Sequence, residues 1–320
     1  YFVPQGEWML AAILYAFAAV GFSGGNVFYD SLIVSVSNNE NRNRVSALGY
    51  SLGYLGGGLL FLVNVIMFLN PQLFGIENQS NAILISFIMV AFWWAFFSIP
   101  ILRNVSESDT QKQEPRFFKA ILQSFNEVYQ TLMEVRKYKN VAIFLLAYWF
   151  YMDGIDTIVR MATAYGSDIG LEASSMITAL ILTQFVGFPS TLIFGYFADK
   201  IGFKKIISIG ILIYILISIF ASRITTATEF YLMAVVVGLV MGGVQAVSRA
   251  YFSSIIPEDK EAQFFGFYNL VGKSAVVAGP ALLAWISMIF NTPRAGILGL
   301  LILFIPGLIL LWMVPTQKDS

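Results

Sequence analysis

Asp153, Asp156 and Arg160 stand at i, i+3 and i+7 within the stretch Tyr148-Trp149-Phe150-Tyr151-Met152-Asp153-Gly154-Ile155-Asp156-Thr157-Ile158-Val159-Arg160, so they share one face of a helix. Charge inside so apolar a segment is costly, which makes it a candidate for function. The four-residue step from Asp156 to Arg160 lets that pair neutralise each other, leaving one surplus carboxylate. A buried carboxylate can take up and release a proton, the chemistry a proton-driven carrier needs for coupling. The competing reading is that these charges only pair with one another or with a cation on another helix. Lys273 stands about ten residues inside a second apolar run, too deep to snorkel comfortably to the surface. It calls for a carboxylate partner, and Asp153 is the expected one. Asn26, Gln184 and Gln245 are uncharged polar residues within apolar runs, suited to interhelical hydrogen bonds or to solute contact. The segment from Gly266 to Ser274 imitates a phosphate-binding loop, but five residues separate Gly266 from Gly272 where that motif has four, and the surroundings are an apolar helix.

The elements that must position these residues are membrane spans. The 320-residue chain is 58% hydrophobic and 12% charged, far too apolar for a soluble protein of this length, and it reads as an all-α polytopic membrane protein. Nine runs approach the roughly 20 residues that cross a hydrocarbon core: Trp8 to Tyr29, Val45 to Leu69, Ala82 to Leu102, Val141 to Tyr165, Ser174 to Phe197, Ile206 to Ser222, Phe230 to Ser254, Gln263 to Phe290 and Gly296 to Val314. With no cysteine and no histidine, thiolate and zinc chemistry and a histidine general base are excluded. The expectation is therefore a protein that is no enzyme and needs no cofactor or metal. Nineteen basic and nineteen acidic residues give no net field, so nucleic-acid binding has no electrostatic support.

Loop charge alternates as one topology demands. Basic residues follow the first, third, fifth, seventh and ninth runs, and seven of them fall between Arg103 and Lys139. Two of the opposite loops, Asn70 to Asn81 and Gly166 to Ala173, have no Lys or Arg. The basic side is cytoplasmic by the positive-inside rule. Arg103 to Asn140 is the one long polar segment, and Phe117, Phe118, Ile121, Leu122, Phe125, Val128, Tyr129 and Leu132 recur in it at helical spacing, as in an amphipathic helix on the cytoplasmic face. An internal repeat divides the chain at this segment. Gly24-Gly25, Glu40 and Gly49 match Gly242-Gly243, Glu258 and Gly266 in spacing to within a residue. The first run is then the counterpart of the seventh. Residues 1–102 are expected to be helices four to six of an N-terminal bundle, 103–140 a linker, and 141–320 a six-helix C-terminal bundle, nine of twelve helices in all.

The turn Gly195-Tyr196-Phe197-Ala198-Asp199-Lys200-Ile201-Gly202-Phe203-Lys204-Lys205 resembles the signature loop of the major facilitator superfamily of transporters. That pattern runs Gly, three residues, Asp, basic, any, Gly, then two basic residues; Phe203 takes the first basic place here, with Lys204 and Lys205 after it. Gly195 permits close helix approach, Gly202 can take a positive φ, and Asp199 can accept from free amides at a neighbouring helix start. The resemblance implies the major facilitator fold of two pseudo-symmetric bundles. By the superfamily's pattern Asp199 faces the start of the second run near Val45, and Asp30, Gly195, Asp199, Lys200, Gly202 and Arg249 form a gate network.

A narrower resemblance rests on Asn26 to Leu32, Val45 to Tyr54, Asp153 to Thr157, Gly242 to Arg249 and Phe264 to Tyr268. These stretches are similar to the uncharacterised permeases related to the autophagy-associated vacuolar amino-acid effluxer of fungi. The resemblance implies alternating-access efflux of a small solute, amino acids first among the classes. Asp153, Asp156, Arg160, Gln245, Lys273 and Asn26 are then the substrate and coupling candidates, with protons the coupling ion. A monomer in the lipid bilayer of a prokaryotic plasma membrane is expected; the alternative is a receptor or lipid scramblase that keeps a carrier fold. The charge pattern yields a direct test. Cysteines placed at Gln113 and Lys318 of this cysteine-free chain should resist an impermeant thiol reagent applied to intact cells, and labelling of either from outside would reverse the orientation.

Overall fold

A computed structural model describes residues 3–4, 6–38, 40–105, 130–257 and 260–315. The helices are α1 (Trp8–Val36), α2 (Arg42–Leu69), α3 (Gln79–Asn104), α4 (Lys139–Asp168), α5 (Ala173–Ile201), α6 (Phe203–Ala221), α7 (Ala227–Ile255), α8 (Glu261–Ser274), α9 (Ala278–Phe290), α10 (Pro293–Gly299) and α11 (Leu301–Met313), with a 3-10 turn at Pro71–Phe74. Among the described residues nine helical segments are long and apolar enough to cross a membrane. Of the amphipathic segment expected from Phe117 to Leu132, residues 117–129 lie outside the described residues and 130–132 are helical.

Local sequence explains where helices start and stop. Asn78 accepts from the Asn81 amide to open α3. Thr226 and Glu229 form a reciprocal capping box at α7, and Thr292 with Pro293 in the first helical position opens α10. The eleven-residue charged turn expected from the sequence is much tighter. Helix continues through Ile201 and resumes at Phe203, so Gly202 alone, at φ 96°, reverses the chain. Nothing in residues 195–201 breaks a helix, whereas a glycine holds that left-handed backbone angle without steric penalty. The eighth apolar run is discontinuous, α8 and α9 being separated by Ala275, Val276 and Val277. Pro280, in the first turn of α9, cannot donate to the helical ladder, which favours a restart over a continuous span.

Two compact units emerge from the packing. One holds residues 1–29 and 56–122. Inside it Phe22 stacks on Trp94 with ring centroids 5.5 Å apart. The other holds residues 30–55 and 123–320, so the end of α1 and the beginning of α2 pack with the later helices. In this second unit α5 and α7 lie closest. A methyl group on Gly238 would stand 2.8 Å from the Thr183 carbonyl oxygen, and one on Gly242 would collide with Thr191 and Tyr54. Small residues four apart thus let two backbones meet, the usual means of helix association without a hydrophobic drive from water. Tyr148, Tyr268 and Phe252 stack at 4.3 and 4.6 Å to tie α4, α8 and α7 together.

Candidate functional site

Two polar constellations occupy the second unit. The first surrounds Arg249, near the end of α7. Its side chain is only 4% exposed, and each donor group has an acceptor: Nη1 donates to Asp30 Oδ1 at 2.9 Å, Nε to Ser46 Oγ at 3.0 Å and Nη2 to the Ser46 carbonyl at 3.3 Å. The guanidinium also lies over the Tyr50 ring at 4.7 Å. Ser46 in turn donates to the Ala246 carbonyl at 2.8 Å, and Arg42 reaches the Ser253 carbonyl at 3.2 Å. The end of α1 and the start of α2 are therefore fastened to α7 through one cation.

Asp199, one turn before the end of α5, meets the same start of α2. Its carboxylate accepts from Asn43 Nδ2 at 2.8 Å and from Arg44 Nε at 3.4 Å. The donors are side chains, not the free backbone amides the sequence suggested, because Asn43 already bridges the gap by donating to the Gly195 carbonyl as well, at 2.7 Å. Gly195 lies against Ala47, where an added methyl would come within 2.6 Å of the Ala47 Cβ. Lys200 turns back over the Tyr196 ring at 4.3 Å. Lys204 donates to the Val314 carbonyl at 2.6 Å and so caps the C-terminal end of α11.

The second constellation is interior. Asp153 is fully buried, against Gly279 of α9. Asp156 is half-buried, and the positive charges of Arg160 and Lys273 both act on it. Lys273 ends α8, whereas Asp153 lies against Gly279 at the start of α9, and no ion pair joins Lys273 to Asp153 among the described residues. Gln245 accepts from the Tyr54 hydroxyl at 3.5 Å, and Tyr151 and Ser248 share a 2.7 Å hydrogen bond. Tyr50 and Asp156 each lie within electrostatic reach of both Tyr54 and Tyr148. Asn26 lies half-buried in the other unit. Among the described residues no cluster of His, Cys, Asp and Glu could hold a metal ion.

Beside the spans, residues 130–135 form a short helical stretch. Glu134 accepts from Lys260, and Gln263 donates to Thr131 at 2.7 Å, clasping this stretch to the start of α8. The Lys260 hydrogen bond holds the Glu134 carboxyl below the usual range. Its contribution is complete above the pKa of an unfolded glutamate and disappears as pH falls through the lowered value.

Sequence comparison places this geometry in a family. All of residues 1–320 match the family described as vacuole effluxer Atg22 like. The chain belongs to that family. It is 37% identical over its whole length to the uncharacterized MFS-type transporter YxiO of Bacillus subtilis, covering 74% of that protein. It is 24% identical over 94% of its length to autophagy-related protein 22 of Yarrowia lipolytica, and 24% identical over 84% to that of Kluyveromyces lactis. The chain spans 55% and 56% of those two fungal relatives. An Atg22-like chain with nine apolar spanning helices is a multi-pass membrane protein of the major facilitator fold, and its relatives are transporters.

Ser46, Asn43, Arg44 and Tyr50 escaped the sequence reading, although Asn41-Arg42-Asn43-Arg44 at a span boundary is a signal for a polar anchor. The geometry ranks the contacts. Arg44 is 76% exposed, so Asp199→Asn, which keeps an acceptor for Asn43, should lower stability by about 1 kcal/mol or less. Ser46→Val strips a buried guanidinium of an acceptor and should lower it by about 1–3 kcal/mol. Thermal unfolding of the purified variants measures both, and an Asp199→Asn loss larger than that of Ser46→Val would invert the ranking.

Proposed function

We propose that the protein is a secondary active transporter that exports a small solute, amino acids being the leading class, across a prokaryotic plasma membrane with protons as the coupling ion. The reading is supported above all by the Arg249 network, which fastens the start of α2 to α7 through contacts that a rocking motion can make and break. On this reading Asp30, Arg249, Gly195, Asp199, Lys200 and Gly202 belong to the cytoplasmic gate. Residues 1–102, 103–140 and 141–320 act as first bundle, linker and second bundle.

Asp156, with Arg160 and Lys273 acting on it and Gln245 and Tyr54 nearby, offers a carboxylate and two cations to one solute. A zwitterion carries one group complementary to each. Asn26, a polar residue within the first span, remains a candidate for solute contact. Transport by movement of two bundles requires no bond chemistry in the solute, in keeping with a protein that is not an enzyme.

Counterflow of radiolabelled amino acids in proteoliposomes tests the assignment. Asp156→Asn should abolish uphill, pH-driven accumulation while retaining exchange, because exchange needs the site and the rocking motion but no net proton movement. Loss of both, recovered when Arg160 or Lys273 is neutralised too, would make Asp156 a counter-ion only. Full pH-driven accumulation by Asp156→Asn would remove it from coupling altogether.

A further inference from the structure

The break between α8 and α9 places two unsatisfied features face to face. Asp153 is fully buried, and neither carboxylate oxygen completes a hydrogen bond among the described residues. Opposite it, α9 begins without a cap of its own: Val277, the residue before its first turn, has no side-chain acceptor for the free amides there. Gly279, in the first turn of α9, lies against the Asp153 carboxylate: an added methyl would stand 2.8 Å from Asp153 Oδ1, 3.0 Å from the Asp153 carbonyl, and in collision with Thr157 Oγ. Thr157 Oγ donates its proton to the Asp153 carbonyl at 2.6 Å, so it does not satisfy the carboxylate, which is left to the helix start. On the opposite side of α4, Gly154 packs under the Phe304 ring, so α4 has little room to withdraw from α9.

We propose that Asp153 is a positioning residue: its carboxylate latches the first turn of α9 and so fixes the angle at which α8 presents Lys273 to Asp156. Negative charge at a helix start is favourable, and a cap supplied from a neighbouring helix holds the second half of a broken span without making the span continuous. The Tyr268 stack already holds α8 to α4 and α7, so the latch holds the other arm, α9, and the two together set the angle at the break beside Lys273, in the last turn of α8. Gly279 is required at the contact because any side chain would push the amide out of reach. This role is independent of which solute is carried.

A thiol reporter next to Lys273 reads the joint without any transport assay, so failure here is separable from failure of the transporter reading. Ser274→Cys is exposed and stands in a background without native cysteine; Ser80→Cys, exposed in the first turn of α3, is the remote control. Labelling of the reconstituted protein with N-ethylmaleimide is followed in Asp153→Asn, Asp153→Leu and Gly279→Ala. Asp153→Asn keeps an acceptor oxygen and should label Ser274→Cys at the unsubstituted rate to within about twofold, whereas Asp153→Leu and Gly279→Ala should each change that rate by about fivefold or more and leave Ser80→Cys unaffected. Should Asp153→Leu fail to assemble, Gly279→Ala decides. An unchanged rate at Ser274→Cys in either assembled variant overturns the latch, as does reversal of the Asp153→Leu effect by Lys273→Ala, which would make Asp153 a counter-ion.

Discussion

A guanidinium removed from water must have its donors filled, and at Arg249 that requirement organises the packing around it. Its acceptors come from Asp30 and Ser46, both distant in sequence. To supply them the chain brings the end of α1 and the beginning of α2 against α7. That approach places Asn43 and Arg44 over Asp199, and Ala47 against Gly195. Removing one partner of such a buried pair typically costs about 3–5 kcal/mol, because the other is left charged and unhydrated. An exposed pair such as Arg44–Asp199 is worth about 0–1 kcal/mol. The proposed gate therefore has a strong contact at Arg249, costly to open, and a weak one at Asp199 that can separate at small energetic expense.

Close backbone approach serves the same end. The α5–α7 contact is built on Gly238 and Gly242, so these helices form a stiff pair on which the polar contacts can be aimed. Between α8 and α9 the helical ladder is interrupted at Ala275, Val276 and Val277, just before Pro280. This break lies beside Asp153 and carries Lys273 on one of its arms. Rigid packing around one joint is what a carrier needs if a small local rearrangement is to move whole helices.

Much of this was legible in the sequence. The nine spans follow from hydropathy, and the relatedness to transporters of the major facilitator fold follows from the Gly195–Lys205 turn and the stretches around Asp30, Arg249 and Tyr268. Turn length was not, because the charged residues 196–201 look like loop by composition while nothing in them interrupts a helix. The partners of Arg249 were not either, since a serine such as Ser46 carries no signal until its helix is placed. The break in the eighth run lacks a distinctive composition: Ala275, Val276 and Val277 are as apolar as their neighbours, and only Pro280 hints at a restart. Pairing Lys273 with Asp153 took no account of the break, beyond which Asp153 lies against Gly279.

The most direct test of the central interaction is a double-mutant cycle between Asp30 and Arg249, read by thermal unfolding of the purified protein. A buried, hydrogen-bonded pair predicts that Arg249→Ala alone lowers stability by about 3–5 kcal/mol, and that Asp30→Ala added to it costs at least about 2 kcal/mol less than it does in the unsubstituted protein. Additive losses, agreeing to within about 0.5 kcal/mol, would contradict the account and leave Arg249 an ordinary anchor.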